Sequence, residues 1–275
     1  MRYDILHRTR YTYVSPVRDS FNDVRLQPMP IPEQTVESFL LKVLPAARLT
    51  HFKDFFSNWV NHFEIAESHS YLVIEAQSRV KTHPPAPLPA EALCPREKLG
   101  ETRNVERCFD YLQSSRFVEL SPEAWKLALD ATVGVEDVWL SVLAVMNFIN
   151  GFLKYESNST NVHTHMTEVV NSRRGVCQDF AHLMLGMCRA LKIPARYISG
   201  YLATEAASAT HAWVEVFIPG HGWRGLDPTH NRQLDETYVK LGHGRDYADV
   251  PPVSGDYRGT LERKMEVEVK ITPVG

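Results

Sequence analysis

Four prolines within Thr82-His83-Pro84-Pro85-Ala86-Pro87-Leu88-Pro89 divide this chain into two parts with different hydrophobic periods. Proline has no N–H and a fixed φ, so this stretch suits neither a helix interior nor a central strand; it is expected as an extended, semi-rigid spacer. Before it the residues alternate. Tyr3, Ile5, Tyr11 and Tyr13 fall on one side and Asp4, Arg8 and Arg10 on the other, the period of a strand with one buried face. Further β-like runs cover 36–44, 59–65 and 71–80, with turn-prone Pro28-Met29-Pro30, Pro45 and Ser57-Asn58 between them. Residues 1–81 are therefore predicted to form a small antiparallel β sandwich, and 82–94 the linker.

After the spacer the period lengthens. Ser121-Pro122-Glu123 opens a helix with a hydroxyl cap, a first-turn proline and an early acid, predicting a helix over 122–131. Val138, Val142, Val145, Met146 and Ile149 mark a second, over 137–154, and Thr164 is the expected cap of a short third ending near Arg173. From Cys177 the apolar residues Phe180, Leu183, Met184, Met187, Cys188 and Leu191 recur at helical spacing until Ile193-Pro194. Strands follow at 195–202 and 212–218, then a Pro219-Gly220-His221-Gly222 hairpin loop and a returning strand over 223–228, stopped by Pro228. The expectation is an α+β fold: helices packed on an antiparallel sheet over 95–260, with a strand at 261–275 returning to one of the two domains.

At 275 residues and 44% hydrophobic content there is material for two cores. A net charge of −3 supplies no bulk field for nucleic acid or an anionic membrane, so neither is expected as a partner. No apolar h-region opens the chain and no run approaches the roughly 18 apolar residues of a membrane span, so a cytoplasmic location is expected. Cys94, Cys108, Cys177 and Cys188 contain no CxxC pair, as reduced thiols would.

Cys177 is the thiol with chemical promise. Gly175 is expected to supply backbone freedom for a turn, after which Cys177 enters the first turn of a helix, where unpaired N–H groups and the helix dipole favour a thiolate. A lone cysteine usually fills space, and Cys188, inside the apolar helix, is read that way. Cys177 has partners in view. His211 opens one predicted strand and Asp227 ends the next, so both fall at one edge of the sheet, where the carboxylate can fix the tautomer of a base. His163 and His165 have the spacing of two metal ligands, and His182 follows Cys177, but no further ligands appear at recognisable spacing, so no metal is expected.

GVCQDFAHLM, IPARYISGYL, HAWVEVFIPGHGW and GLDPTHN, in that order, resemble the transglutaminase-like branch of the papain-like cysteine enzymes. YDILHRTRYTY and GRDYADVPPVSG resemble the two ends of bacterial members that add an N-terminal β domain. The resemblance implies a papain/transglutaminase-like core in which Cys177 is the nucleophile, His211 the base and then acid, and Asp227 its orienter. Calcium, a cofactor of the animal enzymes, is not carried over, since no loop of closely spaced acids is present; no cofactor is expected. The implied reaction is acyl transfer on a peptide or amide substrate. Hydrolysis by a peptidase or amidase is favoured, with transamidation or a silent binding scaffold as alternatives. The oxyanion would be held by the backbone N–H of Cys177 and a side chain, with Tyr155 and Gln178 as candidates. Candidates for the pocket wall are Trp213, His182, Asp179 and Tyr247. Each has a structural alternative: packing under the sheet, helix packing, capping of the helix start, and a tie between domains.

Overall fold

The alternation that starts at Tyr3 continues far beyond residue 14, because one strand serves two sets of partners. This strand, β1, runs over Arg2–Val24. The structure, a computed structural model, describes residues 1–85, 88, 91–102, 106–157, 159–203 and 208–275. β2 (Gln34–Leu44), β3 (Thr50–Lys53), β4 (Trp59–Ile65) and β5 (His69–Thr82) follow. All four residues of β3 are exposed, so it has no buried face to read from the sequence. The first half of β1 pairs with β5, from Arg2 opposite Lys81 to Thr12 opposite Tyr71, and the second half with β4, from Ser20 opposite Ile65 to Val24 opposite Asn61. The β5 register shifts between Thr12 and Val17. Pro16, which has no N–H for a ladder, lies in that break. Tyr3, Ile5 and Tyr11 from one half and Val17 and Val24 from the other meet Phe63, Leu72 and Ile74 in a single core. The linker predicted over 82–94 has no regular secondary structure at 83–85, and 86, 87, 89 and 90 lie outside the described residues.

The second part opens with two short helical turns, α1 (Leu99–Thr102) and α2 (Glu106–Phe109), and then α3 (Pro122–Ala131) and α4 (Val138–Phe152). Ser121 Oγ accepts the Ala124 N–H at 3.2 Å, and Asp137 caps α4 by accepting the Leu140 N–H at 3.0 Å. β6 (Lys154–Tyr155), α5 (Met166–Ser172), β7 (Arg174–Gly175) and α6 (Cys177–Ala190) complete the helical layer. The cap of α5 is His165, not Thr164: the Glu168 carboxylate accepts the His165 N–H at 3.0 Å. Helix α6 is buried nearly throughout, which is why its apolar residues are not confined to one stripe.

α6 packs on a five-stranded antiparallel sheet with strand order β11-β10-β9-β8-β12. The strands are β8 (Ala195–Ala203), β9 (Ser208–Ile218), β10 (Gly222–Asp227), β11 (Arg232–Gln233) and β12 (Tyr238–Gly244). Ala212, Val214 and Val216 join the α6 core, whereas Trp213 packs with Ile198, Leu202 and Tyr238 in a separate cluster, as strand alternation requires. The chain then returns to the first sheet. β13 (Val253–Arg258) and β14 (Arg263–Pro273) both pair antiparallel with β1. Residues 253–258, placed by the sequence reading in the second domain, thus belong to the first sheet, which has seven strands.

The two parts are docked through side-chain amides. Gln34 donates through Nε2 to the Lys240 carbonyl at 2.7 Å and accepts the Lys240 N–H at 2.8 Å. Asn58 does the same with His243, 2.8 Å each way. Both amides are buried and satisfy backbone groups on β12, an edge strand. Tyr201, Val239 and Leu241 from β8 and β12 complete the β1 core.

Gly200, opposite Lys240 on β12 and His211 on β9, is required by close approach. A Cβ there would lie 2.3 Å from both the Val239 carbonyl oxygen and the Trp213 ring. Gly200→Ala is expected to destabilise the protein by roughly 1–3 kcal/mol, read as a lower midpoint in thermal unfolding; an unchanged midpoint would show that β12 can give way.

Candidate active site

Cys177 is placed by a short chain of contacts. β6 and β7 pair in parallel, Lys154 opposite Arg174 and Tyr155 opposite Gly175, and Arg173 turns the chain out of α5 with φ +54°. Gly175 serves this turn through its lack of a side chain, not through a left-handed backbone: a Cβ would sit 2.6 Å from that of Asp179. Asp179 needs that room, because its Oδ2 accepts the Val176 N–H at 2.7 Å and the Thr160 hydroxyl at 2.5 Å. Its burial pushes the carboxyl pKa up. Cys177 is then the first residue of α6, half-buried, and the N–H groups of Cys177 and Gln178 lie in the turn where a helix has no internal acceptor.

The sheet delivers the other two groups. His211 lies near the start of β9 and Asp227 at the end of β10, the antiparallel neighbour, with Leu226 opposite Val214. His211 Nε2 and Asp227 Oδ2 are 2.7 Å apart. An ionised carboxylate can only accept, so Nε2 carries the hydrogen and Nδ1 is the nitrogen left for the Cys177 side chain, which also hydrogen-bonds His211. Burial by itself lowers the His211 pKa, but the ring's hydrogen bonds with Asp227, which accepts from it, and with Cys177 outweigh this and raise it to about 9. The Trp213 ring stacks beside that of His211 at 6.2 Å.

Asp227 holds more than one base. It is fully buried, and Oδ2 accepts three hydrogen bonds of 2.7 Å, from His211, from His230 Nδ1 and from the Tyr238 hydroxyl. Oδ1 accepts the N–H groups of Thr229 at 2.9 Å and His230 at 3.2 Å. Burial would raise the pKa of this carboxyl; the hydrogen bonds from His211 and His230 hold it far below the usual carboxylate range. His230 is visible in retrospect as the histidine of GLDPTHN, while nothing near Tyr238 in the chain links it to Asp227.

Beside Cys177 and His211 lies a cavity of about 270 Å³. Gln178 and Tyr247, two of the sequence candidates, line it, together with Tyr197 and Ser199 of β8. The other candidates are elsewhere. Tyr155 does not line it and is 52% exposed, with its ring 6.4 Å from Phe180. Trp213 lines a separate cavity of about 610 Å³, with Glu215 and Lys240, that includes none of Cys177, His211 and Asp227. Asp179 caps the helix start. His182 is fully buried, stacked on Phe117 at 5.7 Å, and burial lowers its pKa to about 4, so it stays neutral and its Nε2 accepts the Tyr247 N–H at 3.3 Å. It positions Tyr247 but does not itself reach the cavity. The segment at 244–252 is thus both tie and wall: the Pro252 carbonyl accepts the N–H of Arg25, on the far side of the linker, at 2.8 Å, while Tyr247 and Pro252 face the cavity.

His163 and His165 lie exposed in the turn before α5, not on a strand. Among the described residues, His211, Asp227 and His230 are the group whose ligand-type atoms lie within 4.8 Å of one another. Those atoms are engaged with each other as donors to one carboxylate oxygen, which orients imidazoles in the manner of a buried acid behind a base.

His211 carries a pH signature. Its folded pKa of about 9 stands above the ordinary 6.5, so its contribution to stability, on the order of 3 kcal/mol, is fully present below pH 6.5 and is lost as pH rises through 9. Thermal midpoints measured from pH 6 to 10 are expected to fall across that window in the parent protein and not in His211→Gln. In Asp227→Asn the His211 ring, followed by NMR, is expected to titrate at lower pH.

Comparison with known proteins bears on the same residues. The model of the transglutaminase-like superfamily matches residues 126–228, a span that contains Cys177, His211 and Asp227. That of the bacterial transglutaminase-like N-terminal region matches residues 3–81. An uncharacterized protein of Mycobacterium leprae is 30% identical over 98% of this chain and 98% of its own length. A segment of a protein-glutamine gamma-glutamyltransferase of Pseudomonas aeruginosa is 37% identical over 104 residues, 32% of this chain and 16% of that protein. The solved structure of a candidate cysteine protease from Cytophaga hutchinsonii, 26% identical, superposes with a TM-score of 0.81 over 100% of this chain and 92% of that one. With both family models matched in order along the chain, and relatives alike from one end to the other, this protein belongs to the bacterial transglutaminase-like family of thiol-dependent enzymes.

Proposed function

We propose that the protein cleaves amide bonds by acyl transfer through Cys177, with His211 as base and acid and Asp227 as the group that orients it. The observation that carries this reading is the relay Cys177–His211–Asp227, in which a buried carboxylate holds Nε2 at 2.7 Å and leaves Nδ1 for the thiol. Cys177 Sγ, as thiolate, forms a bond to the amide carbonyl carbon. His211, protonated, gives its proton to the departing amine as the C–N bond breaks, and a thioester remains. The first-turn N–H groups of α6 and the Gln178 side chain are the donors at hand for the oxyanion. Water, deprotonated by His211, then releases the acid and restores the thiol.

Hydrolysis is favoured over transfer to a second amine. Hydrolysis needs only water, whereas cross-linking demands a site that holds two substrates and keeps water out. Likeness to a candidate cysteine protease along the whole chain supports the same reading. Transamidation is the second reading, supported by the shorter likeness to a protein-glutamine gamma-glutamyltransferase. Location in the cytoplasm is proposed on the reading of the cysteines as reduced thiols.

Incubation of the protein with a peptide library, with and without a fluorescent primary amine, followed by mass spectrometry, separates the readings. Free acid products are expected, unaffected by the amine and reduced by at least about 10⁴-fold in Cys177→Ala. Predominant amine incorporation would establish a transamidase. Absence of turnover, with iodoacetamide labelling all four cysteines alike, would leave a binding scaffold.

A further inference from the structure

The cavity beside Cys177 has a wall that comes from the other half of the molecule. His7, Thr9 and Tyr11 of β1 and Met265 and Val267 of β14 line it. The ladder between the two strands places Tyr11 opposite Met265 and Thr9 opposite Val267. Directly opposed residues of an antiparallel pair project from the same face, so the apolar side of β14 continues the inner side of β1 across the cleft. Between them, Lys264, Glu266 and Glu268 point to the other face, where Glu268 pairs with Arg8 at 2.9 Å and Glu266 with Lys264 at 2.8 Å. β14 also lies against β9, the strand that carries His211.

Two features of this wall require an occupant. Met265 is 57% and Val267 49% exposed, although they lie on the face of the strand that is otherwise turned to the core. Exposed apolar surface continuous with a reactive thiol is surface that substrate binding would remove from water. Moreover, of the described residues that line the cavity, none is Asp, Glu, Lys or Arg. His7 is neutral there, because burial lowers its pKa to about 4, and it is engaged by the Tyr201 hydroxyl at 3.0 Å. Apart from the Cys177–His211 pair, whose charges are turned to each other, a charged side chain entering this space would meet no counter-ion among these residues and would lose its hydration.

We propose that the opposed pairs Tyr11–Met265 and Thr9–Val267 are the specificity wall of the Cys177 cleft, and that they select acyl donors with an uncharged, apolar side chain beside the carbonyl under attack. The N-terminal sheet and β14 are therefore part of substrate recognition. This rests on the proposed reactivity of Cys177, and the test keeps the two apart.

Three reagents with one warhead, the N-acetyl chloromethyl ketones of leucine, lysine and glutamic acid, which carry the side chain beside the carbonyl and release chloride on alkylation, are compared by their rates of Cys177 alkylation, read by mass spectrometry of the intact protein and its peptides. The leucine reagent is expected to label Cys177 at least about tenfold faster than either charged one. Val267→Glu and Met265→Glu, at positions half in solvent, are expected to abolish that advantage and to favour the lysine reagent, with thermal midpoints near that of the parent. Equal rates for the three reagents, or ratios unchanged in both variants, would overturn the wall while leaving the thiol chemistry intact. Labelling of Cys177 no faster than that of Cys94, Cys108 and Cys188 by every reagent would overturn the reading of Cys177 on which the wall rests.

Discussion

Two primary amides, Gln34 and Asn58, hold the molecule in its working form. Each forms a closed pair of hydrogen bonds with the backbone of β12, at Lys240 and His243, and each is buried. β12 is the outer strand of its sheet, with N–H and carbonyl groups that face no further strand. A primary amide presents an N–H and its carbonyl oxygen on the same side, so it can bond both backbone groups of one residue as a residue of a neighbouring strand would, without the chain having to supply that strand. The apolar contacts of Tyr201, Val239 and Leu241 bring the two halves together without direction, and the amides fix their alignment. The cleft beside Cys177 has one wall from each half, so its shape follows from that alignment.

The site itself depends on a buried negative charge. Asp227 is removed from solvent, and a carboxylate in that position is tolerable only if its oxygens are occupied. Five hydrogen bonds do this, two from backbone N–H groups and three from His211, His230 and Tyr238. The arrangement has a directional effect as well as an energetic one. Three donors converge on one oxygen from β9, from the turn after β10 and from β12, so His211 cannot rotate without leaving Asp227 under-satisfied.

Much of this was legible in the sequence where the signal is local. The helix cap Ser121, the apolar spacing of α4 and α6 and the hairpin between β9 and β10 follow from residues close together in the chain. So does the meeting of His211 and Asp227, since a short hairpin places the start of one strand near the end of the next. Other features are set by distant parts. His182 and Asp179, polar residues near Cys177 in the chain, suggested a pocket wall, yet tertiary packing turns His182 into the core and backbone capping engages Asp179. Tyr238 meets Asp227 only because β12 folds back beside β8. The alternation at the C-terminal end announced a strand, but alternation carries no information about its partner, and so the wall beside Cys177 was not foreseeable.

The pairing of β1 with β14 joins residues about 250 positions apart, Thr12 with Lys264 and Tyr11 with Met265. Closing so long a loop in an unfolded chain costs conformational entropy before any contact rewards it, whereas helices and hairpins close loops of a few residues. The assembly of this protein is therefore ordered by its topology. The helical layer and the hairpin bearing His211 and Asp227 can form from nearby segments, and β14 can add to β1 only when the intervening chain has compacted enough to bring it there. A thiol placed at a helix start before β14 has been added faces solvent on the side that β1 and β14 later enclose. The enclosure of Cys177, unlike its place at the start of α6, is in this molecule a property of the finished fold.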